Sequence, residues 1–114
     1  MSISLRPFTV SIDQSALDDL QARLALTRFP EKETVDDWDQ GLPLAYAKEL
    51  LDYWRSSYDW RRCEAELNRW PHFKAEIDGL DVHFIHIKSS RSDARPMIMT
   101  HGWPGSVLEF ANVI

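Results

Sequence analysis

Apolar residues in the first 71 positions recur three or four residues apart, the spacing of helices with one buried face. Asp13 and Asp59 are suited to cap the first and third of these predicted helices, and the second covers residues 43–57. Their apolar stripes are Leu17, Leu20 and Leu24; Leu44, Ala47, Leu51, Trp54 and Tyr58; and Trp60, Cys63, Leu67 and Trp70. Residues 1–71 are therefore predicted to form a helical amino-terminal region.

Two other segments of this region have shorter patterns. Residues 5–11 predict an extended lead-in before the first helix. Residues 34–38 predict one short helical turn capped by Thr34.

After residue 71 the pattern changes from helical spacing to the alternation of a half-buried strand. The predicted segments are a strand at 72–77, a hairpin turn at Asp78 and Gly79, a strand at 80–87, a buried strand at 96–100 and a helix that begins at 107. A strand that leads through a glycine-rich loop into a helix is how a parallel α/β sheet starts. We therefore predict the α/β class, with 72–114 as the incomplete start of a sheet.

Composition narrows the class of protein. A net charge of -5 over 114 residues, without a large basic cluster, argues against a nucleic-acid partner. Cys63 is the single cysteine, which excludes an internal disulfide and suits a reducing compartment. The first four residues do not begin a signal peptide, and no apolar run approaches the roughly 20 residues of a membrane span. We expect a cytoplasmic protein without a membrane anchor.

The loop after the predicted third strand is rich in glycine and proline. Its sequence is His101-Gly102-Trp103-Pro104-Gly105-Ser106. Gly102 and Gly105 permit backbone conformations that a side chain would forbid, and Pro104 stiffens the loop. Ser106 and Glu109 have the spacing of a capping box, which fixes the start of the next helix. Such a loop can hold backbone N–H groups in the fixed directions that an oxyanion hole needs. The simpler alternative is a turn that only joins a strand to a helix.

Nearly the whole chain resembles the amino-terminal part of the microsomal-type epoxide hydrolases, which are α/β-hydrolases. The block at 101–110 is the most specific part of this resemblance. The other matching residues are 6–8, 17–30, Trp38, Gly41, 50–55, 58–61, 67–73, 77–80 and 84–86.

The resemblance implies a mechanism for the complete enzyme. An aspartate at a strand-to-helix elbow opens a small-molecule epoxide and forms an alkyl ester, while two cap tyrosines polarise the epoxide oxygen. A histidine paired with an acidic residue activates water, which hydrolyses the ester, and two backbone N–H groups bind the resulting oxyanion. One of these donors would be the Trp103 N–H, and the Trp103–Pro104 peptide bond is expected to be cis. The residues that would shape the loop are His101, Gly102, Pro104, Gly105 and Ser106. No cofactor and no metal are implied.

The nucleophile is absent from the 114 residues. The elbow pattern is Gly-x-nucleophile-x-Gly, and the run 79–83 contains Asp81 but lacks the second glycine. The resemblance places the elbow, the acid–histidine pair and the cap tyrosines beyond residue 114. We therefore expect the isolated chain to be inactive, and to be marginally stable or self-associated through an open sheet edge.

Other interpretations stay open. The chain could belong to another α/β-hydrolase, such as a haloalkane dehalogenase or an esterase, or it could be a non-catalytic interaction piece. His101 could be a catalytic base, although the resemblance favours a loop-shaping role. A metal site at His72, His83 and His86 is disfavoured, because the last two alternate to opposite faces of a strand.

Overall fold

A computed structural model describes residues 4–114, in two units. One unit is Ile12–Trp60, and the other combines Arg61–Ile114 with the segment that ends at Ser11. The expectation that the chain starts without a signal peptide concerns residues outside this range. The predicted boundary between a helical region, 1–71, and a sheet region, 72–114, stays a prediction.

Two of the predicted helices form the first unit. Helix α1 is Gln14–Ala25 and helix α2 is Leu44–Ser56, and the two are in contact. Asp13 occupies the N-cap position of α1 as predicted, but only its backbone carbonyl bonds the first turn, accepting from Ala16 N at 3.0 Å. Leu24, from the predicted stripe, is the buried residue of α1.

Helix α2 begins at a side-chain cap that the sequence analysis missed. Its N-cap position is Pro43, which has no capping side chain. The carboxylate of Glu33 takes that role, because its Oε2 accepts a hydrogen bond from Leu44 N at 2.8 Å. This bond, followed by one from the backbone N–H of Glu33 itself, lowers the pKa of the Glu33 carboxyl below its ordinary 4.5.

The predicted helical turn at 34–38 is wrong, since these residues form bends. Thr34 N donates to Gln40 Oε1 at 3.1 Å, and Gln40 Nε2 donates to Thr34 Oγ1 at 2.9 Å. Asp39 N donates to Asp37 Oδ1 at 2.9 Å. Side chains of this kind offer the backbone an alternative to helical hydrogen bonds, which explains the outcome.

The second unit contains helix α3 from its second residue onward, a sheet and a short 3₁₀ helix. Helix α3 is Trp60–Leu67, as its stripe predicts, although it ends earlier. The sheet has the antiparallel order β1-β2-β3, with strands Leu5–Phe8, His72–Ile77 and Leu80–Ile85. The predicted hairpin is confirmed: Ile77 pairs with Leu80, and the turn residues Asp78 and Gly79 have φ of 52° and 82°.

The extended lead-in predicted at 5–11 is confirmed in part, because Leu5–Phe8 is the extended strand β1. Its pairing with β2, 64 or more positions away, leaves little local signal and was not predicted. Two other predictions about this unit need correction. The predicted buried strand at 96–100 is wrong: no strand forms, and Met97 and Ile98 are 77% and 92% exposed. A strand needs a neighbour for its N–H and C=O groups, and within residues 4–114 this segment has none. The helix expected from 107 is the 3₁₀ helix, Val107–Phe110.

The register of the sheet sorts the hairpin side chains onto two faces. Phe8 pairs with His72, and Lys74 pairs with His83, so these four side chains share one face. The register places Phe73, Ala75 and Phe84 on the other face. His86 lies on that face as well, since its ring contacts the ring of Phe73.

The hydrophobic core of the described residues is small. Within 4–114, the buried apolar side chains are Leu24, Leu67 and Ala75, and α2 has none. Trp54, expected in a core, is 41% exposed, whereas Trp60 and Trp70 are half-buried. Within residues 4–114, most residues of the predicted apolar stripes therefore lie in helices but outside this small core. None of the helices in 4–114 is both long and apolar enough to span a membrane.

The candidate oxyanion loop

The loop at 101–106 is exposed and contains a cis peptide bond. That bond joins Trp103 to Pro104, which confirms the expectation from the family resemblance. The Trp103 side chain is 95% exposed. Strands β1–β3 do not include the residues that lead into the loop, so its conformation comes from contacts within a few positions of sequence.

His101 is hydrogen-bonded inside the loop. Its Nδ1 lies 2.9 Å from the carbonyl oxygen of Gly102. A carbonyl only accepts, so Nδ1 carries the hydrogen and the lone pair of the neutral ring is on Nε2. This bond holds the ring against the backbone of the loop.

The two glycines of the loop differ in what they require. A Cβ placed on Gly105 would lie 2.7 Å from the Gly102 carbonyl oxygen and would also meet the carboxylate of Glu109. A Cβ on Gly102 would meet nothing within 4 Å, and neither residue has a positive φ. The sequence analysis predicts that both positions use the conformational freedom of glycine. The structure shows a requirement for glycine, a close backbone approach, at Gly105 alone.

Ser106 fixes the end of the loop. It is the N-cap of the 3₁₀ helix, and its Oγ accepts a hydrogen bond from Leu108 N at 3.2 Å. The predicted capping position is confirmed, with Leu108 rather than Glu109 supplying the N–H. Glu109 N donates to the backbone carbonyl of Ser106 at 3.1 Å, which closes the turn.

The Trp103 N–H is available as a donor. Within residues 4–114, no group accepts a hydrogen bond from it. The Gly102 carbonyl, which is hydrogen-bonded to His101, and the Trp103 N–H belong to the same planar peptide group, so this hydrogen bond also restrains the direction of the N–H.

The three histidines of the hairpin do not converge. His72 and His83 are hydrogen-bonded on one face of the sheet, and His86 packs against Phe73 on the other. Their opposite orientation is as predicted for His83 and His86. The part of the chain that the structure describes holds no group of three His, Cys, Asp or Glu side chains suited to a metal. The direct contact of His72 with His83 was missed, although the hairpin register would have indicated it.

Comparison with known proteins supplies the wider context. The family model "Epoxide hydrolase N terminus" matches residues 5–110. A protein of Stigmatella aurantiaca (strain DW4/3-1), whose name marks its epoxide hydrolase activity as provisional, is 54% identical over 96% of this chain and 25% of its own. Juvenile hormone epoxide hydrolase 2 of Ctenocephalides felis is 43% identical over 97% of this chain and 24% of its own.

A solved structure shows the same fold. An enantioselective mutant of the epoxide hydrolase from Aspergillus niger, generated by directed evolution, superposes with a TM-score of 0.89 and 40% identity. The match covers 98% of this chain and 30% of that one. This chain thus spans about a quarter of the length of the curated relatives it matches.

The structure has the fold of the amino-terminal part of an α/β-hydrolase. The evidence is its three helices, its incomplete antiparallel sheet and this structural match. The predicted α/β class is therefore confirmed. The chain belongs to the epoxide hydrolase N-terminus family, as its residues 5–110 show.

The unequal glycines of the loop predict unequal effects of alanine. Gly105→Ala should move the backbone amide resonances of residues 101–110, because the new Cβ would displace the Gly102 carbonyl or the Glu109 side chain. Gly102→Ala, the matched control, should affect only its immediate neighbours. Amide NMR spectra of the two variants measure this, and equal shifts from both would contradict the close approach at Gly105.

Proposed function

We propose that the chain is the amino-terminal part of an enzyme that converts an epoxide and water into a vicinal diol through an alkyl-enzyme ester. The main support for this proposal is the family match over residues 5–110, together with relatives named as epoxide hydrolases. The small-molecule epoxide is the expected substrate of the complete enzyme. Residues 1–71 would be its helical amino-terminal region, and 72–114 the start of its catalytic domain.

Within that enzyme, the loop at 101–106 contributes one half of the oxyanion hole. The Trp103 N–H is the donor, and the residues that shape the loop around it are His101, Gly102, Pro104, Gly105 and Ser106. The available N–H, the His101–Gly102 hydrogen bond and the Ser106 cap support this assignment. The hydrogen bond of His101 Nδ1 to the loop backbone supports a loop-shaping role for His101, which the family resemblance also favours over a role as catalytic base. The proposal includes a cytoplasmic location and no nucleic-acid partner.

The isolated chain is expected to be inactive. It carries an oxyanion donor but no Gly-x-Asp-x-Gly elbow, so an epoxide would meet no nucleophile. Purified 1–114 should form no diol, while the protein encoded by the reading frame extended past Ile114 should form diol and should contain the aspartate elbow.

The same experiment separates the alternatives. A serine elbow beyond residue 114 would indicate an esterase, and a stop codon directly after Ile114 would indicate an interaction piece. Diol formation by rigorously pure 1–114 would overturn the expectation of inactivity.

The Trp103 donor can be removed without changing a side chain. Replacing Trp103 in the extended enzyme by its α-hydroxy analogue exchanges the N–H for an ester oxygen. Loss of one oxyanion donor lowers the rate by about 10²–10³-fold. Because the oxyanion forms when water attacks the ester, hydrolysis of the alkyl-enzyme should slow, while its formation should not. Single-turnover kinetics separate the two steps.

Trp103→Phe is the control, because it keeps the N–H and should hydrolyse the ester at nearly the original rate. If the enzyme with the hydroxy analogue hydrolysed the ester as fast as the original, the assignment would be refuted.

Self-association of the isolated chain is part of the proposal. Among the described residues, 4–114, strand β3 has a neighbour on one side only, and Leu80 and Val82 on it are 70% and 42% exposed. An apolar strand with an open edge is a template for pairing with a second chain.

A charge on this edge should weaken the association. Val82→Lys places an ammonium on β3 and should shift sedimentation equilibrium toward monomer over a concentration series. Leu26→Lys makes a similar change at a 79% exposed position outside the sheet and is the control. Monomeric wild-type chain at all concentrations, or equal effects of the two variants, would contradict pairing through β3.

A further inference from the structure

His72 and His83 form a hydrogen-bonded pair that the proposed enzyme mechanism does not use. Their rings stack with centroids 5.1 Å apart and an interplanar angle of 7°. Nδ1 of His72 lies 2.9 Å from Nε2 of His83, and Nε2 of His72 lies 2.7 Å from the carbonyl oxygen of Leu67. His72 is 3% exposed, so water does not replace these partners. One buried ring thus joins the end of α3 to two strands.

The geometry restricts where protons can be. The Leu67 carbonyl only accepts, so His72 carries a hydrogen on Nε2. The bond between the two rings needs one hydrogen shared between His72 Nδ1 and His83 Nε2. When both rings are neutral, His83 donates it to His72. One further proton still leaves a single hydrogen between the two nitrogens. A second further proton places a hydrogen on each, and the bond is lost.

The surroundings do not compensate a second charge. Lys74 of β2 lies directly opposite His83, and Phe8 of β1 meets the His83 ring edge-on at 5.2 Å. The Lys74 ammonium lies 4.3 Å from the centre of the Phe8 ring. The remaining charged groups on this face are Arg6 of β1, which is ion-paired with Asp81 of β3, and Glu76 of β2, which is opposite Asp81. From α3, the group that reaches His72 is the Leu67 carbonyl.

We propose that the His72–His83 pair is an acid-sensitive latch, which fastens β3 to the buried His72 ring and opens when both rings are protonated. Opening separates β3 from its contact with His72, while the Nε2–H of His72 still donates to the Leu67 carbonyl. The latch concerns the fold of this chain, so it stands or falls independently of epoxide hydrolysis.

The pH window follows from the direction of the His83 shift. Burial lowers the pKa of His83 below its ordinary 6.5, and the charges of His72 and Lys74 lower it further. A histidine whose folded pKa is depressed contributes stability that is present above the unfolded pKa and is lost as pH falls through the folded pKa. The latch should therefore be closed at pH 7.5, and the folded chain should lose stability as pH falls below 6.5, because the folded His83 takes up a proton less readily than the unfolded one. The latch itself opens at the lower pH at which the second further proton binds. His83 alone can raise the unfolding equilibrium constant up to about tenfold between pH 7.5 and 5.5.

The test compares a latch variant with a control on the other face. His83→Gln keeps an amide N–H to donate to His72 but cannot take up a proton. In urea unfolding of the 114-residue chain at pH 7.5 and 5.5, it should lose most of the pH dependence of the wild type. His86→Gln removes a histidine that packs on Phe73 and should retain that dependence. An unchanged pH dependence in His83→Gln would overturn the proposal.

Imidazole ¹⁵N NMR of the wild-type chain decides the matter without any variant. At pH 7.5 the expected spectrum has His72 and His83 both protonated on Nε2, with His83 titrating below pH 6.5. A His83 protonated on Nδ1, or one that titrates near 6.5 like an ordinary histidine, would overturn the latch even if the variants fail to fold.

Discussion

Strand β2 is hydrogen-bonded along both edges, and the arrangement of its unit depends on those two ladders. The turn at Asp78 and Gly79 fixes the register with β3, so that Lys74 faces His83. A slip of one residue would turn every side chain of β3 to the other face. The same strand holds β1, whose Phe8 pairs with His72. The contacts of His72 with His83, and of Phe73 with Phe84, are thus consequences of one turn and one central strand.

The chain builds local structure more completely than it builds a core. Helices form where apolar spacing and caps favour them, yet α2 buries none of its residues and Tyr53 on it is 54% exposed. Helical stability in proteins comes mostly from packing of an apolar face, yet the contact of α2 with α1 leaves none of the α2 residues buried within the described part of the chain. This agrees with a chain that covers about a quarter of its curated relatives. The proposed self-association follows from the same unsatisfied surface.

Elements encoded by neighbouring residues could be predicted from the sequence, and elements that depend on distant partners could not. The Asp78–Gly79 hairpin and α2 came from local spacing and turn chemistry. Strand β1 pairs with residues far along the chain, and the segment at 96–100 has an apolar pattern but no neighbour to pair with in the part of the chain that the structure describes. The His72–His83 contact lay within reach, because a turn at 78–79 places Lys74 opposite His83 and His72 diagonally beside it. The cap of α2 by Glu33 could not be predicted in this way, because Glu33 and Leu44 are separated by 11 positions of irregular chain.

The loop at 101–106 depends on neighbouring residues for its shape and on distant residues for its location. Each contact that shapes it joins residues at most a few positions apart: His101 with Gly102, Gly105 with Gly102 and Ser106 with Leu108. None of these contacts needs the sheet, so the direction of the Trp103 N–H relative to the loop is a local property. Its location relative to a substrate is not local, because the preceding segment, 96–100, is unpaired. Preorganisation lowers a barrier only when the donor meets the developing charge. In the proposed enzyme, a locally fixed donor that follows a segment unpaired within residues 4–114 would need neighbouring strands before it could serve an oxyanion. The proposed dependence on a longer enzyme follows from this physical requirement as well as from the lack of an elbow motif in the 114 residues.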